Sequence, residues 1–137
     1  MARVRQLQRG GPVATVEAAL IRWFTDGYRL ANPLAMQRER DWVLANDPAT
    51  YPLYYRILAD EIDSIAAPAP PIACPTLVMT ADQDHGNGPG MTHAIAAEIA
   101  GAETVILPGL RHMAVMEHPA STNAVLSGFL DRVVPHG

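Results

Sequence analysis

Residues 72–118 read IACPTLVMTADQDHGNGPGMTHAIAAEIAGAETVILPGLRHMAVMEH, and the fold follows from how this stretch divides. Thr76 to Thr80 is a short apolar run after a proline, suited to a strand buried on both faces. Asp82 and Asp84 stand at its C-terminal end. Gly86, Gly88, Pro89 and Gly90 then punctuate a turn. Met91 to Ala100 has helical character, and Glu103 to Leu107 is a second strand, broken by Pro108 and Gly109 before His112. Strand, helix and strand in this order form a crossover that returns the chain to the same sheet edge. In an open parallel sheet the chemistry sits beyond the carboxyl ends of the strands. Asp84 and His112 both belong on that edge.

Three segments carry a family resemblance: CPTLVMTADQD (74–84), ILPGLRHMAVMEHP (106–119) and NAVLSGFL (123–130). Together they resemble the C-terminal part of the alpha/beta-hydrolase fold, in which an acid follows one late strand and a histidine follows the last, in the order Ser, Asp, His. Asp84 matches the acid and His112 the base. Glu117 and Pro119 match the family's E-x-P, and Phe129-Leu130 the end of its closing helix. Arg22-Trp23-Phe24-Thr25 and Asn46-Asp47-Pro48 with Tyr51 resemble the cap of 3-oxoadipate enol-lactonase-like members. The resemblance implies ester or lactone hydrolysis through an acyl-enzyme, on a small-molecule substrate and without a cofactor. The cap likeness suggests an enol-lactone of a dicarboxylic acid, whose carboxylate Arg22 or Arg111 would meet.

The family's nucleophile sits in G-x-S-x-G on a sharp strand-to-helix turn. No such motif occurs here: the serines are Ser64, Ser121 and Ser127, none with the required glycines. Two members of a triad are present without the third. A chain of 137 residues gives room for one domain with a real core, short of a complete alpha/beta hydrolase. The expectation is therefore an acid-and-base half, inactive alone.

Composition narrows the class. At 49% apolar and 18% charged residues the chain is globular, and a net charge of −4 argues against a broad grip on nucleic acid or anionic membrane. One cysteine excludes an internal disulfide framework and fits a reducing compartment. With no leader pattern and no apolar run near the ~18 residues of a membrane span, a cytoplasmic protein is expected.

Residues 1–13, arginine-bearing and then glycine-broken, read as a loose start. Thr15 is placed to cap a helix to about Thr25, with Val16, Leu20, Trp23 and Phe24 on one stripe and Gly27 ending it. Asn32-Pro33, a cap followed by Pro at the first helical position, opens a second helix to about Ala45, and Asp47-Pro48 repeats the signal and opens a third to about Ile62. Residues 1–65 are thus an N-terminal segment and helical cap. The Pro-rich stretch 66–71 reads as a hinge, and 72–137 as the α/β core segment, closed by an amphipathic helix over Pro119 to Val133.

Other candidates were weighed on the residues. Asp82, nearer the strand, competes with Asp84 for the histidine. Glu117 suits ordering the histidine loop or capping the closing helix. Trp23 reads either as an aromatic over the substrate or as a core residue pinning the cap. His85, His93 and His118 sit near the acids, but no calcium-loop, H-E-x-x-H or paired-Cys spacing is present, and they read as solvent-facing. Cys74 precedes the strand, about 20 Å from the histidine edge at ~3.3 Å per residue, and reads as a buried structural thiol. A second reading of the whole belongs to another class. A binding or scaffold protein would reuse the half-fold, its open sheet covered by a second copy or a partner chain.

Overall fold

A computed structural model of the chain describes residues 10–60 and 70–134. Residues 1–9 of the loose start expected over 1–13, the first four residues of the 66–71 hinge and the expected helix end at Ile62 lie outside these. Residues 10–13 lead into a 3-10 turn instead of a loose segment. Two compact units emerge, Met1–Ile21 with Asp26–Ala67, and Arg22–Thr25 with Pro68–Gly137.

The first unit is helical. A 3-10 turn, Pro12–Ala14, leads into α1 (Val16–Trp23), and α2 (Asp26–Ala31), α3 (Pro33–Leu44) and α4 (Tyr51–Asp60) follow. The buried side chains of α1 are Val16, Ala19 and Leu20, at the i, i+3, i+4 spacing of one helical face. The 3-10 turn and α2 both pack on α3, which buries Met36, Glu39 and Val43. Arg40 grips Glu17 through Nε at 2.5 Å and Nη2 at 3.1 Å, joining α3 to α1.

Three expectations need correcting here. Gly27 does not end the first helix; α1 stops at Trp23 and Gly27 lies inside α2. Asn32 makes no side-chain cap; its Nδ2 donates back to the Tyr28 carbonyl at 2.9 Å. The Asp47-Pro48 signal makes a turn before it makes a helix. Asp47 Oδ1 accepts the Ala49 N–H at 2.9 Å, and α4 begins only at Tyr51.

The second unit holds a two-stranded parallel sheet of β1 (Leu77–Ala81) and β2 (Glu103–Leu107), in register from Leu77 opposite Glu103 to Ala81 opposite Leu107. Between the strands runs α5 (Pro89–Ala97), packed on both; after them come α6 (Ala114–Glu117) and α7 (Pro119–Val133), the latter against β2. Ala81, Leu107 and Ala114 are the buried centre, with Met79, Val105, Leu110 and Val125 around them. Met79 and Ala81 face Val105 and Leu107 across the register, so one sheet face supplies most of this core.

The expected burial of β1 on both faces is corrected: only Ala81 is buried, the other four residues being half-exposed. Among the described residues β1 pairs with β2 alone. The α5 helix ends three residues before Ala100, because the chain turns through Ile99 into Gly101 at φ +77°, a left-handed conformation natural to glycine. Cys74 is exposed rather than buried, since it lies in an irregular segment ahead of β1. Among the described residues, no helix is long and apolar enough to cross a membrane.

Candidate functional site

The two strand ends are stitched into one platform. Past the last register pair, the Asp82 N–H donates to the Leu107 carbonyl at 3.0 Å and the Gln83 N–H to the Leu110 carbonyl at 3.1 Å. The β2 loop turns at Gly109, φ +72°, whose N–H donates to Asp82 Oδ1 at 2.8 Å. Asp82 is therefore a loop brace.

Asp84 is built differently. Its Oδ1 accepts the N–H groups of Gly86 at 2.9 Å and Asn87 at 3.0 Å, which fixes the plane of the carboxylate. Thr80 Oγ1 donates to the Asn87 carbonyl at 2.6 Å and holds that turn to the strand. Gly88 is required by space, since a Cβ there would lie 2.6 Å from the Asp84 carbonyl oxygen. With Oδ1 satisfied by backbone, Oδ2 is turned to His112, 2.7 Å from its Nδ1. Burial pushes the Asp84 carboxyl up, but the Asn87 N–H, the His112 imidazole and the Gly86 N–H together outweigh it. The group is held below its ordinary value and stays ionised at neutral pH.

An ionised carboxylate only accepts, so Nδ1 carries a proton, and in the neutral ring Nε2 is then the nitrogen with the lone pair. Asp84 is 7% exposed and His112 39%, so the acid is buried behind the imidazole it orients. The two residues contribute to a hollow of about 310 Å³ whose wall also includes Thr80, Asn87, Met91 and Ile95. A buried acid, an oriented imidazole and an apolar hollow can together draw a proton from a hydroxyl brought to Nε2.

The remaining candidates fall elsewhere. Trp23 is half-buried and is not among the residues walling the hollow. His85 and His93 are exposed. His118 caps α7: its Nδ1 lies 2.8 Å from Ser121 Oγ and accepts the Ser121 N–H at 3.4 Å. Among the described residues, no group of three or more His, Cys, Asp or Glu side chains is placed to hold a metal.

Sequence patterns gave no direct sign of one part of the site. Arg22–Thr25, set among cap helices in the sequence, belongs to the unit that holds His112. The Met113 N–H donates to the Trp23 carbonyl at 2.9 Å, and Arg111 Nη1 to the Phe24 carbonyl at 2.9 Å. The Thr25 N–H donates to Glu117 Oε2 at 3.0 Å, and the Thr25 hydroxyl also bonds that carboxylate. Such pairings span about ninety residues, beyond any local pattern.

Solved structures share this architecture. The enol-lactonase from Burkholderia xenovorans LB400 aligns with a TM-score of 0.83 at 25% identity, over 95% of this chain and 49% of its own. A hydrolase from Pseudomonas aeruginosa PA01 aligns at 0.79 and 23% identity, over 94% and 48%. A thermophilic esterase from Thermogutta terrifontis aligns at 0.74 and 24% identity, over 96% and 48%. The chain spans about half the length of the solved structures it matches. No protein-family model matches the sequence, and no curated protein does.

Proposed function

This chain carries the C-terminal part of an alpha/beta-hydrolase fold, and on that premise we propose that it supplies the acid and base of an ester or lactone hydrolase. The single observation that carries the reading is Asp84 Oδ2 at 2.7 Å from His112 Nδ1, both residues lining an apolar hollow. In this mechanism His112 Nε2 takes the proton of a nucleophilic hydroxyl as its oxygen attacks the ester carbonyl. Asp84 holds the tautomer and stabilises the imidazolium. The imidazolium then gives its proton to the departing alkoxide, leaving an acyl-enzyme. Water, deprotonated by the same nitrogen, releases the acid and restores the hydroxyl.

The nucleophile of this scheme comes from outside the 137 residues, which hold no G-x-S-x-G. Without it and its oxyanion hole the chain is inactive alone, since those groups supply much of the rate. The substrate class is supported by the enol-lactonase and esterase among the similar structures, at the level of small esters and lactones. An enol-lactone is the narrower choice, drawn from the cap resemblance. Trp23 enters as a second substrate contact on the same ground, the hollow beside His112 being walled by other residues.

The test pairs the chain with a separately produced N-terminal alpha/beta-hydrolase segment bearing the serine motif, and follows p-nitrophenyl ester and enol-lactone hydrolysis. The expected result is turnover only in the mixture, abolished by His112→Ala and cut on the order of 10⁴-fold by Asp84→Asn, as tautomer loss does in a triad. Turnover indifferent to both substitutions overturns the assignment. Hydrolysis by the chain alone that depends on His112 overturns the claim that it is inactive alone.

A further inference from the structure

We propose that Glu117 is a positioning residue for His112, acting through the strap Arg22–Thr25. The proposal rests on the reading above only in calling His112 the base.

Both sequence neighbours of His112 are fastened to this strap, Arg111 by its side chain to the Phe24 carbonyl and Met113 by its N–H to the Trp23 carbonyl. The imidazole itself is 39% exposed, and its one hydrogen bond among the described residues is to Asp84. The ring is set by that bond and by the backbone that carries it, and the residues on either side of it are held by the strap. The first half of the strap is the end of α1, which stops at Trp23, and Phe24 and Thr25 lie between it and α2, which begins at Asp26. Two anchors fix the strap. Phe24 is fully buried, and Glu117 receives both the N–H and the hydroxyl of Thr25.

Bonds to an ionised carboxylate are the strong ones in such a set. Glu117 itself is held on α6, where its N–H donates to the Met113 carbonyl at 3.0 Å, while the Ala114 N–H donates to the Arg111 carbonyl at 3.1 Å. Strap, His112 loop and α6 thus close a ring of hydrogen bonds around the base. Releasing Glu117 removes the carboxylate's bonds to Thr25, the residue next to the Phe24 carbonyl that holds Arg111. The disturbance reaches the neighbours of His112 through the strap. A displacement of about an ångström at the imidazole is enough to matter for proton transfer.

The experiment is nitrogen-15 and proton NMR of the full chain, reading the His112 Nδ1–H resonance and the ring tautomer. The resonance is assigned by its loss in Asp84→Asn. In the parent the ring is the Nδ1–H tautomer, and its proton exchanges slowly with water. Glu117→Ala is expected to speed that exchange on the order of tenfold or more, the scale of a lost charge-assisted bond, and to admit the Nε2–H tautomer. Glu117→Gln, which keeps one acceptor oxygen, restores much of the parent signal. The parent in enough urea to match the variant's global stability is the control, and it keeps slow exchange.

Where Glu117→Ala fails to fold, Thr25→Ala replaces it. That variant keeps the N–H donor, loses the hydroxyl, and is expected to show a smaller change of the same kind. Unchanged exchange and tautomer in the folded variants overturn the proposal, and so does a urea-matched parent that loses the signal equally. The readout is a hydrogen bond rather than turnover. A chain that never hydrolyses an ester can still confirm the strap, and a working mixture with an undisturbed His112 in Glu117→Ala would refute the strap alone.

Discussion

Asp82 Oδ1 accepts the Gly109 N–H at 2.8 Å, so the acid that does not meet His112 holds the histidine's loop to the loop that carries the acid that does. Two aspartates separated by one residue thus divide two tasks. Asp82, exposed, makes a single bond between loops, while Asp84, buried, is bonded on both oxygens.

The brace is measurable. Asp82→Ala is expected to cost about 1 kcal/mol, the worth of one hydrogen bond to a charged group in partial contact with water. Gly109→Ala is expected to cost about 1–3 kcal/mol, because φ is +72° there and an alanine is strained in that region. Urea unfolding checks both. Asp82→Ala keeps the slow His112 proton, whereas loss of that proton would make Asp82 part of the acid–base pair.

Gly88 offers a steric lever on the acid. Its φ of −77° and ψ of −174° suit any residue, so conformation is no obstacle to Gly88→Ala. Space is: the new Cβ meets the Asp84 carbonyl oxygen at 2.6 Å, and a backbone atom cannot swing aside as a flexible side chain can. A cost of about 1–3 kcal/mol is expected, as for overpacking, together with a shifted Asp84 turn. Equal stability in parent and variant would show that the turn yields freely.

Stability should fall on the acid side in a way that Asp84 controls. Its folded carboxyl titrates below the ordinary 3.8, so the group contributes stability that is complete above the unfolded value. That contribution disappears as pH drops through the folded value. Melting temperature is therefore expected to decline as pH falls below about 4, and Asp84→Asn should flatten this limb while leaving the neutral-to-alkaline profile alone. An unchanged acid limb in Asp84→Asn would place the effect on other carboxylates.

Glu39 is only 3% exposed on α3, and among the described residues its Oε1 has no hydrogen bond, with Arg38 Nε at 3.6 Å. A buried carboxylate with an unsatisfied oxygen is costly, and an apolar side chain of similar length removes the cost. Glu39→Met is expected to raise stability by about 1 kcal/mol or more in a thermal melt. A drop of that size would reveal a partner for the carboxylate.

The shared strand edge of Asp84 and His112 was legible because strand-end logic is local. A proline, an apolar run and an aspartate turn locate one strand end, and a second run broken by Pro108-Gly109 locates the other. The β2 strand and the closing helix α7 fall on the expected residues, and β1 lies one residue later than expected. The choice of Asp84 over Asp82 as the histidine's partner came from the family resemblance, and the structure brings Asp84 and His112 together. The residue types alone could not decide, because the two aspartates differ in burial and backbone partners. The cap helices slipped for a related reason. Gly27 reads as a breaker, yet α2 accommodates it, and Asp47 spends its side chain on a turn instead of a helix start. Nor does any local signal join Thr25 to Glu117.

That last bond redraws where the chain can be cut. A fragment starting at the proline-rich stretch near residue 70 would look, by sequence, like the natural stand-alone piece, with both strands, Asp84, His112 and the closing helix. It would lack Arg22–Thr25, and with them every bond that fastens Arg111, Met113 and Glu117 to that strap. The smallest piece able to present a well-placed histidine is therefore discontinuous in the gene. Exchanging residues 1–65 as one cassette would replace part of what holds the His112 loop along with the helices.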